Sequence, residues 1–111
     1  MSSQSISNLQ KQLEAFANER DWRQFHTPKN LAMALAGEAG ELLAEFQWMT
    51  PEESEQAMES KSAESIRMEM ADVFIYLVRL ASLLEVDLLA AADEKVALNA
   101  SRFLPARGPN E

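Results

Sequence analysis

Val73-Phe74-Ile75-Tyr76-Leu77-Val78-Arg79-Leu80-Ala81-Ser82-Leu83-Leu84 decides the fold. In these residues only Tyr76, Arg79 and Ser82 are polar, so a helix through them is apolar on nearly every side. Such a helix must be buried all round. A small helical domain can hardly cover it alone, and the stretch therefore predicts a homo-oligomer, the alternative being a central helix covered by its own chain.

Working outward, the helix is expected from Ser62 to Leu84. Before it, Ile6, Leu9, Leu13 and Phe16 recur at helical spacing and predict a helix from Ile6 to Arg20. Asp21 to His26 breaks that pattern and reads as a loop. Thr27-Pro28 is a start signal, Thr as N-cap and Pro in the first turn, for a helix running to about Trp48. Thr50-Pro51-Glu52-Glu53 repeats the signal with Glu53 placed for a capping box, ahead of a polar stretch to Ser60 that reads as short helix or loop. Asp87 caps a last helix to about Phe103, and Leu104-Pro105 stops it. The expected class is all-α, a four-helix-bundle type in one domain over residues 1–111, with 1–5 and 106–111 frayed.

Composition agrees. Three Gly and four Pro among 111 residues favour helices over a many-turned β fold, and 47% hydrophobic residues suffice for a core. Without cysteine there is neither a disulfide framework nor a zinc–thiolate site. Met1 to Gln12 is polar, unlike a signal peptide. No apolar run reaches the ~18 residues of a membrane span. A cytoplasmic protein with no membrane partner is expected. The net charge of −8 argues against binding duplex nucleic acid. It leaves open phosphate binding mediated by divalent cations.

Two acidic doublets carry the chemistry. Glu38 and Glu41 lie on the second helix, Glu69 and Asp72 on the third, each pair three residues apart and so on one helix face. Solvated faces produce such pairs constantly; their position is what matters. Glu38 interrupts the apolar stripe Leu31, Leu35, Leu42 and Phe46, and Glu69 interrupts Ile66, Val73, Leu77, Leu80 and Leu84. Unpaired buried carboxylates are costly, and clustering makes them costlier. Arg67 and Arg79 are the nearby bases that can serve as partial partners. The remaining solution is a bound dication, and oxygen ligands suit Mg²⁺ or Mn²⁺. A ferritin-like di-iron site needs Glu-x-x-His, but the single histidine, His26, follows Arg23 at that spacing. Gly37 and Gly40 bracket Glu38 and suggest either close approach of a ligand or backbone, or tight helix packing.

Gly37-Glu38-Ala39-Gly40-Glu41-Leu42 and Glu69-Met70-Ala71-Asp72-Val73 resemble the ExxE and ExxD signature of the MazG-like all-α nucleoside triphosphate pyrophosphohydrolases. Glu19 to His26, Pro28 to Leu31, Phe46-Gln47-Trp48, Asp72 to Leu77, and Lys95 with Asn99 and Arg102-Phe103 resemble the dCTP pyrophosphatase branch. The resemblance runs from about Leu9 to Pro105. It implies cleavage of a deoxynucleoside triphosphate to monophosphate and pyrophosphate, for clearing the nucleotide pool. Glu38, Glu41, Glu69 and Asp72 would hold Mg²⁺ against the triphosphate, and Glu38 or Glu41 would orient or deprotonate the attacking water. Lys95 and Arg102 would neutralise phosphate oxygens, Tyr76 and Asn99 would contact sugar or phosphate, and Trp22 and Trp48 would pack on the base. The resemblance also implies a dimer or a dimer of dimers, in which residues of one site come from different subunits. Some animal members carry a histidine where Leu13 stands, so dATP or other bases are expected beside dCTP. The rival readings are a relative acting on dUTP or phosphoribosyl-ATP, and a non-enzymatic helical interaction module whose acids face water.

Overall fold

The computed structural model describes residues 5–106, and in these residues every regular element is helical. The helices are α1 (Ile6–Glu19), α2 (Pro28–Phe46), α3 (Pro51–Glu55), α4 (Ala63–Leu84) and α5 (Leu88–Arg102). Single 3₁₀ turns lie at Arg23–Phe25 and Ala57–Glu59. Thus the polar stretch after Thr50 holds a short helix and a 3₁₀ turn, and α2 ends two residues before Trp48. The frayed ends expected of the sequence fall mostly on residues 1–4 and 107–111, outside the described residues. Ser5 is ordered as a cap.

The helix starts follow local chemistry. Ser5, Thr27, Thr50 and Asp87 each accept a hydrogen bond from a first-turn backbone N–H, satisfying a group no helix can pair internally. Thr50 and Glu53 complete the capping box, Glu53 N–H donating to Thr50 Oγ1 at 3.1 Å and Thr50 N–H to Glu53 Oε1 at 2.8 Å. At the C-terminus of α4, Glu85 takes a left-handed φ of 55° and Val86 N–H reaches back to the Ala81 carbonyl at 2.9 Å. That closure stops the long apolar helix and turns the chain toward α5.

Helices α2 and α4 form the principal interface, and α1 also packs on α4. Leu31 of α2 and Ile66 and Val78 of α4 are fully enclosed; Ala17 of α1 and Ala81 are also buried. The all-α class expected of the sequence is what the described residues show, but the last helix packs little on the others. Helix α5 makes only sparse contact with the other elements and has no buried residue. Met70, Phe74, Leu77 and Leu84 on one face of α4 stay exposed, as do Leu89, Val96 and Leu98 of α5. The radius of gyration is 17.7 Å, against the ~13 Å of a compact domain of this length. The chain does not cover its own apolar helix.

The Thr27 cap sets where α2 begins, and hence the register that carries Glu38 and Glu41. Replacing it by Ala should cost about 1 kcal/mol, read as a lower urea midpoint with unchanged helical content by circular dichroism.

Candidate metal and nucleotide site

The α2–α4 interface brings acids from both helices together. One oxygen each from Glu38, Glu41 and Glu69 lies within 4.8 Å of the others. Glu38 and Glu69 are half-buried and Glu41 is exposed. Oε2 of Glu38 and Oε2 of Glu69 are buried with no hydrogen-bond partner. Asp72 stands outside this trio yet close enough for its charge to act on Glu38.

The electrostatics express the crowding. Burial pushes Glu38 up, with Asp72 and Glu41 adding to the rise and Glu69 opposing it. Burial, reinforced by Glu38 and Glu41, pushes Glu69 up to about 7. The bases that could relieve them are engaged elsewhere. Arg67 makes a two-pronged bond to Glu64 at 2.7 and 3.0 Å. Arg79 pairs with Glu14 of α1. The partial partnership expected of these two arginines is therefore absent among the described residues. The acids have like-charged neighbours and no cation.

Beside the acids, α1, α4 and the turn between α1 and α2 enclose a cleft of about 320 Å³. Asp72, Tyr76 and Arg79 line it from α4, Leu13 and Phe16 from α1, and Trp22 and His26 from the turn. The turn is built locally. Asp21 adopts a left-handed φ of 54°, and Trp22 N–H bonds the Ala17 carbonyl at 2.9 Å. This lays the indole edge-on against Phe16, with centroids 5.4 Å apart, and beside His26 at 6.1 Å. Asp72 joins the acidic cluster to the cleft, because it both acts on Glu38 and lines the wall.

Of the residues singled out from sequence, Glu38, Glu41, Glu69, Asp72, Trp22 and Tyr76 meet here. Four do not. Trp48 is 88% exposed and lies with Met49 and Gln56, away from the cleft. Lys95, Asn99 and Arg102 sit on α5, and none lines the cleft. Arg102 lies over the Phe103 ring instead, at 5.3 Å. Gly37 and Gly40 face open space, since a Cβ at either would meet nothing within 4 Å, so packing within the described chain does not explain them.

Phe16, His26 and Arg79 line the cleft, and Glu14 pairs with Arg79, yet all four escaped the sequence reading as site residues. Arg79 carried a signal. It is the only charge between Val73 and Leu84, and a charge in an apolar helix demands a partner as much as Glu38 and Glu69 do.

A model of the MazG-like family matches residues 34–103. The chain is 42% identical over 100 residues to dCTP pyrophosphatase 1 of Rattus norvegicus, covering 89% of this chain and 59% of that protein. It is 41% identical, with the same coverage, to dCTP pyrophosphatase 1 of Homo sapiens. The chain thus spans about three fifths of the length of these curated relatives. A crystal structure of a pyrophosphatase from Archaeoglobus fulgidus superposes with a TM-score of 0.84 at 32% identity, covering 95% of this chain and 97% of that one.

The raised value of Glu69 makes a stability prediction. A carboxyl that holds its proton more tightly folded than unfolded stabilises the fold fully below its ordinary value, and that contribution is lost as pH rises through the folded value. In EDTA the thermal midpoint should fall as pH climbs from 4.5 through about 7. Glu69→Gln should flatten that fall. An unchanged slope in the variant would assign the pH dependence to other groups.

Proposed function

The chain belongs to the MazG-like family, and on that premise we propose that it is a Mg²⁺-dependent nucleoside triphosphate pyrophosphohydrolase, cleaving a deoxynucleotide to monophosphate and pyrophosphate. The observation that carries the proposal is the pair of buried, partnerless oxygens on Glu38 and Glu69, with Glu41 alongside. Hard oxygen donors without hydrogen-bond partners suit a hard dication. Glu38, Glu41, Glu69 and Asp72 would hold it, Mn²⁺ being the natural substitute. When bound, the ion polarises phosphoryl oxygens and offsets charge on the departing pyrophosphate.

The chain's own residues supply the rest. Water attacks the α-phosphorus; its oxygen bonds to phosphorus as the bond to the β-phosphate's bridging oxygen breaks, and pyrophosphate leaves with that oxygen. A carboxylate takes the water's proton, and Glu41, the exposed member of the trio, is better placed to meet solvent than Glu38. Asp72 and Tyr76 line the near wall of the cleft, with the Trp22 indole available for stacking. A base stacked there gains about 1–3 kcal/mol. The names of the relatives favour dCTP, while the apolar Leu13 leaves room for dATP. The task proposed for it is cleansing of a cytoplasmic nucleotide pool.

Trp48, Lys95, Asn99 and Arg102 act, in this reading, across a homo-oligomer. The exposed Met70, Phe74, Leu77 and Leu84 and the detached α5 support it, because a second copy would cover apolar surface the first cannot. A homodimer, or a homotetramer of paired dimers, would then bring the α5 cations to the phosphates.

Pyrophosphate release should be seen with dCTP and Mg²⁺ and vanish in EDTA. The same panel, extended to dATP, dUTP and phosphoribosyl-ATP, separates the related activities, and indifference to every nucleotide would indicate a non-enzymatic module. Glu41→Gln and Asp72→Asn should fold yet lose about 10²-fold or more in turnover. Mixing inactive Glu41→Gln with inactive Lys95→Ala should restore part of the activity if sites are shared between copies. No recovery after the subunits have exchanged would confine each site to one chain.

A further inference from the structure

Arg79 is only 3% exposed, yet it lines the cleft. Its Nη1 is taken by Glu14 and its Nε donates to His26 Nδ1 at 3.4 Å. Its Nη2 is buried and has no acceptor. Guanidinium is always charged and only donates, so a buried N–H left over is a standing demand for an oxygen or nitrogen acceptor. Resting on the pyrophosphohydrolase reading above, we propose that Arg79 is a specificity-determining residue whose Nη2 donates to a carbonyl oxygen of the substrate base.

Position along α4 supports this. Asp72 and Arg79 are seven residues apart, two turns, which puts them on the same side of the helix and about 10 Å apart along its axis. Phosphates near Asp72 would leave the base at Arg79, with Phe16 and Trp22 offering aromatic faces beside it. His26 reinforces the polarity. Because its Nδ1 accepts from Arg79, the ring proton sits on Nε2, a second donor. Burial, then the Arg79 charge, lowers the His26 value and keeps the ring neutral. The two polar side chains that line this end of the cleft therefore each keep a hydrogen to donate.

Cytosine, uracil, thymine and guanine carry a carbonyl oxygen; adenine carries none. The cleft should favour the first four. A purely structural role, in which the Glu14 pair merely ties α1 to α4, predicts no effect on base ranking.

The test is kcat/KM for dCTP, dTTP, dGTP and dATP with Mg²⁺, in the wild type and in the double variant Glu14→Leu with Arg79→Met. Removing both charges leaves neither one buried alone, which such pairs usually tolerate. The dCTP-to-dATP ratio should fall about tenfold or more in the double variant. A second measurement needs no variant. Wild-type protein should show about tenfold higher KM for 2-thio-dCTP than for dCTP, because sulfur accepts poorly at the position of the lost oxygen. An unchanged ratio in a folded double variant, or equal KM values for the two cytidine nucleotides, would overturn the assignment while leaving the hydrolase intact. Failure of the wild type to cleave any of the nucleotides would sink the hydrolase reading and this inference with it.

Discussion

The charge on the carboxylates between α2 and α4 is the constraint on which the site depends. Helix geometry places Glu38 and Glu41 on one face of α2, and the interface sealed by Leu31, Ile66 and Val78 presses that face toward Glu69. Packing therefore forces like charges together, and no arginine of the described residues comes to their aid. Two remedies exist chemically: a proton or a cation. Glu69 at about 7 shows the first remedy near its limit at neutral pH. Under the proposed function the second takes over, so occupancy of the site and integrity of the α2–α4 interface become one equilibrium.

The same helix handles its other buried charge differently. Arg79 finds Glu14 on α1 and His26 in the following turn, so this charge is compensated inside the chain. That clasp draws the α1–α2 turn over α4 and gives the cleft its aromatic wall. The arginine's hydrogen bond lowers the Glu14 carboxyl from its ordinary value, which favours an ionised pair at neutral pH. One end of the cleft thus ends in unpaired negative charge and the other in a positive charge with a spare donor. That polarity along a single helix matches a ligand with phosphates at one end and an acceptor-bearing ring at the other.

Much of this could be read from sequence, for identifiable reasons. Helix starts were legible because Thr27, Thr50 and Asp87 act through bonds to backbone three residues away. The acidic cluster was legible because a carboxylate in an apolar stripe contradicts the pattern around it. What depended on contacts distant in sequence was not. Glu14 and Arg79 lie 65 residues apart, and nothing local in α1 marks Glu14 as the partner. His26 read only as the end of a loop, and its acceptor role toward Arg79 exists only once α4 is in place. The helical pattern of α5 was equally plain, while its failure to pack could not be seen, since periodicity reports an apolar face and not what covers it.

That uncovered face ties the fold to the proposed site. Van der Waals contact within one chain is exhausted at α1, α2 and α4, and Met70, Phe74, Leu77 and Leu84 still meet water. The residues that would neutralise phosphate, Lys95 and Arg102, lie on the helix that has the least contact with its own chain. Under the proposed function a monomer would lack two things, a cover for its central helix and the α5 side-chain charges for its ligand. If a second copy supplies α5, both deficits are met by one element. Assembly would then be selected by the apolar surface and reinforced by the chemistry, because a chain that folded alone would present its acids and their cation without the Lys95 and Arg102 charges proposed to meet the phosphates.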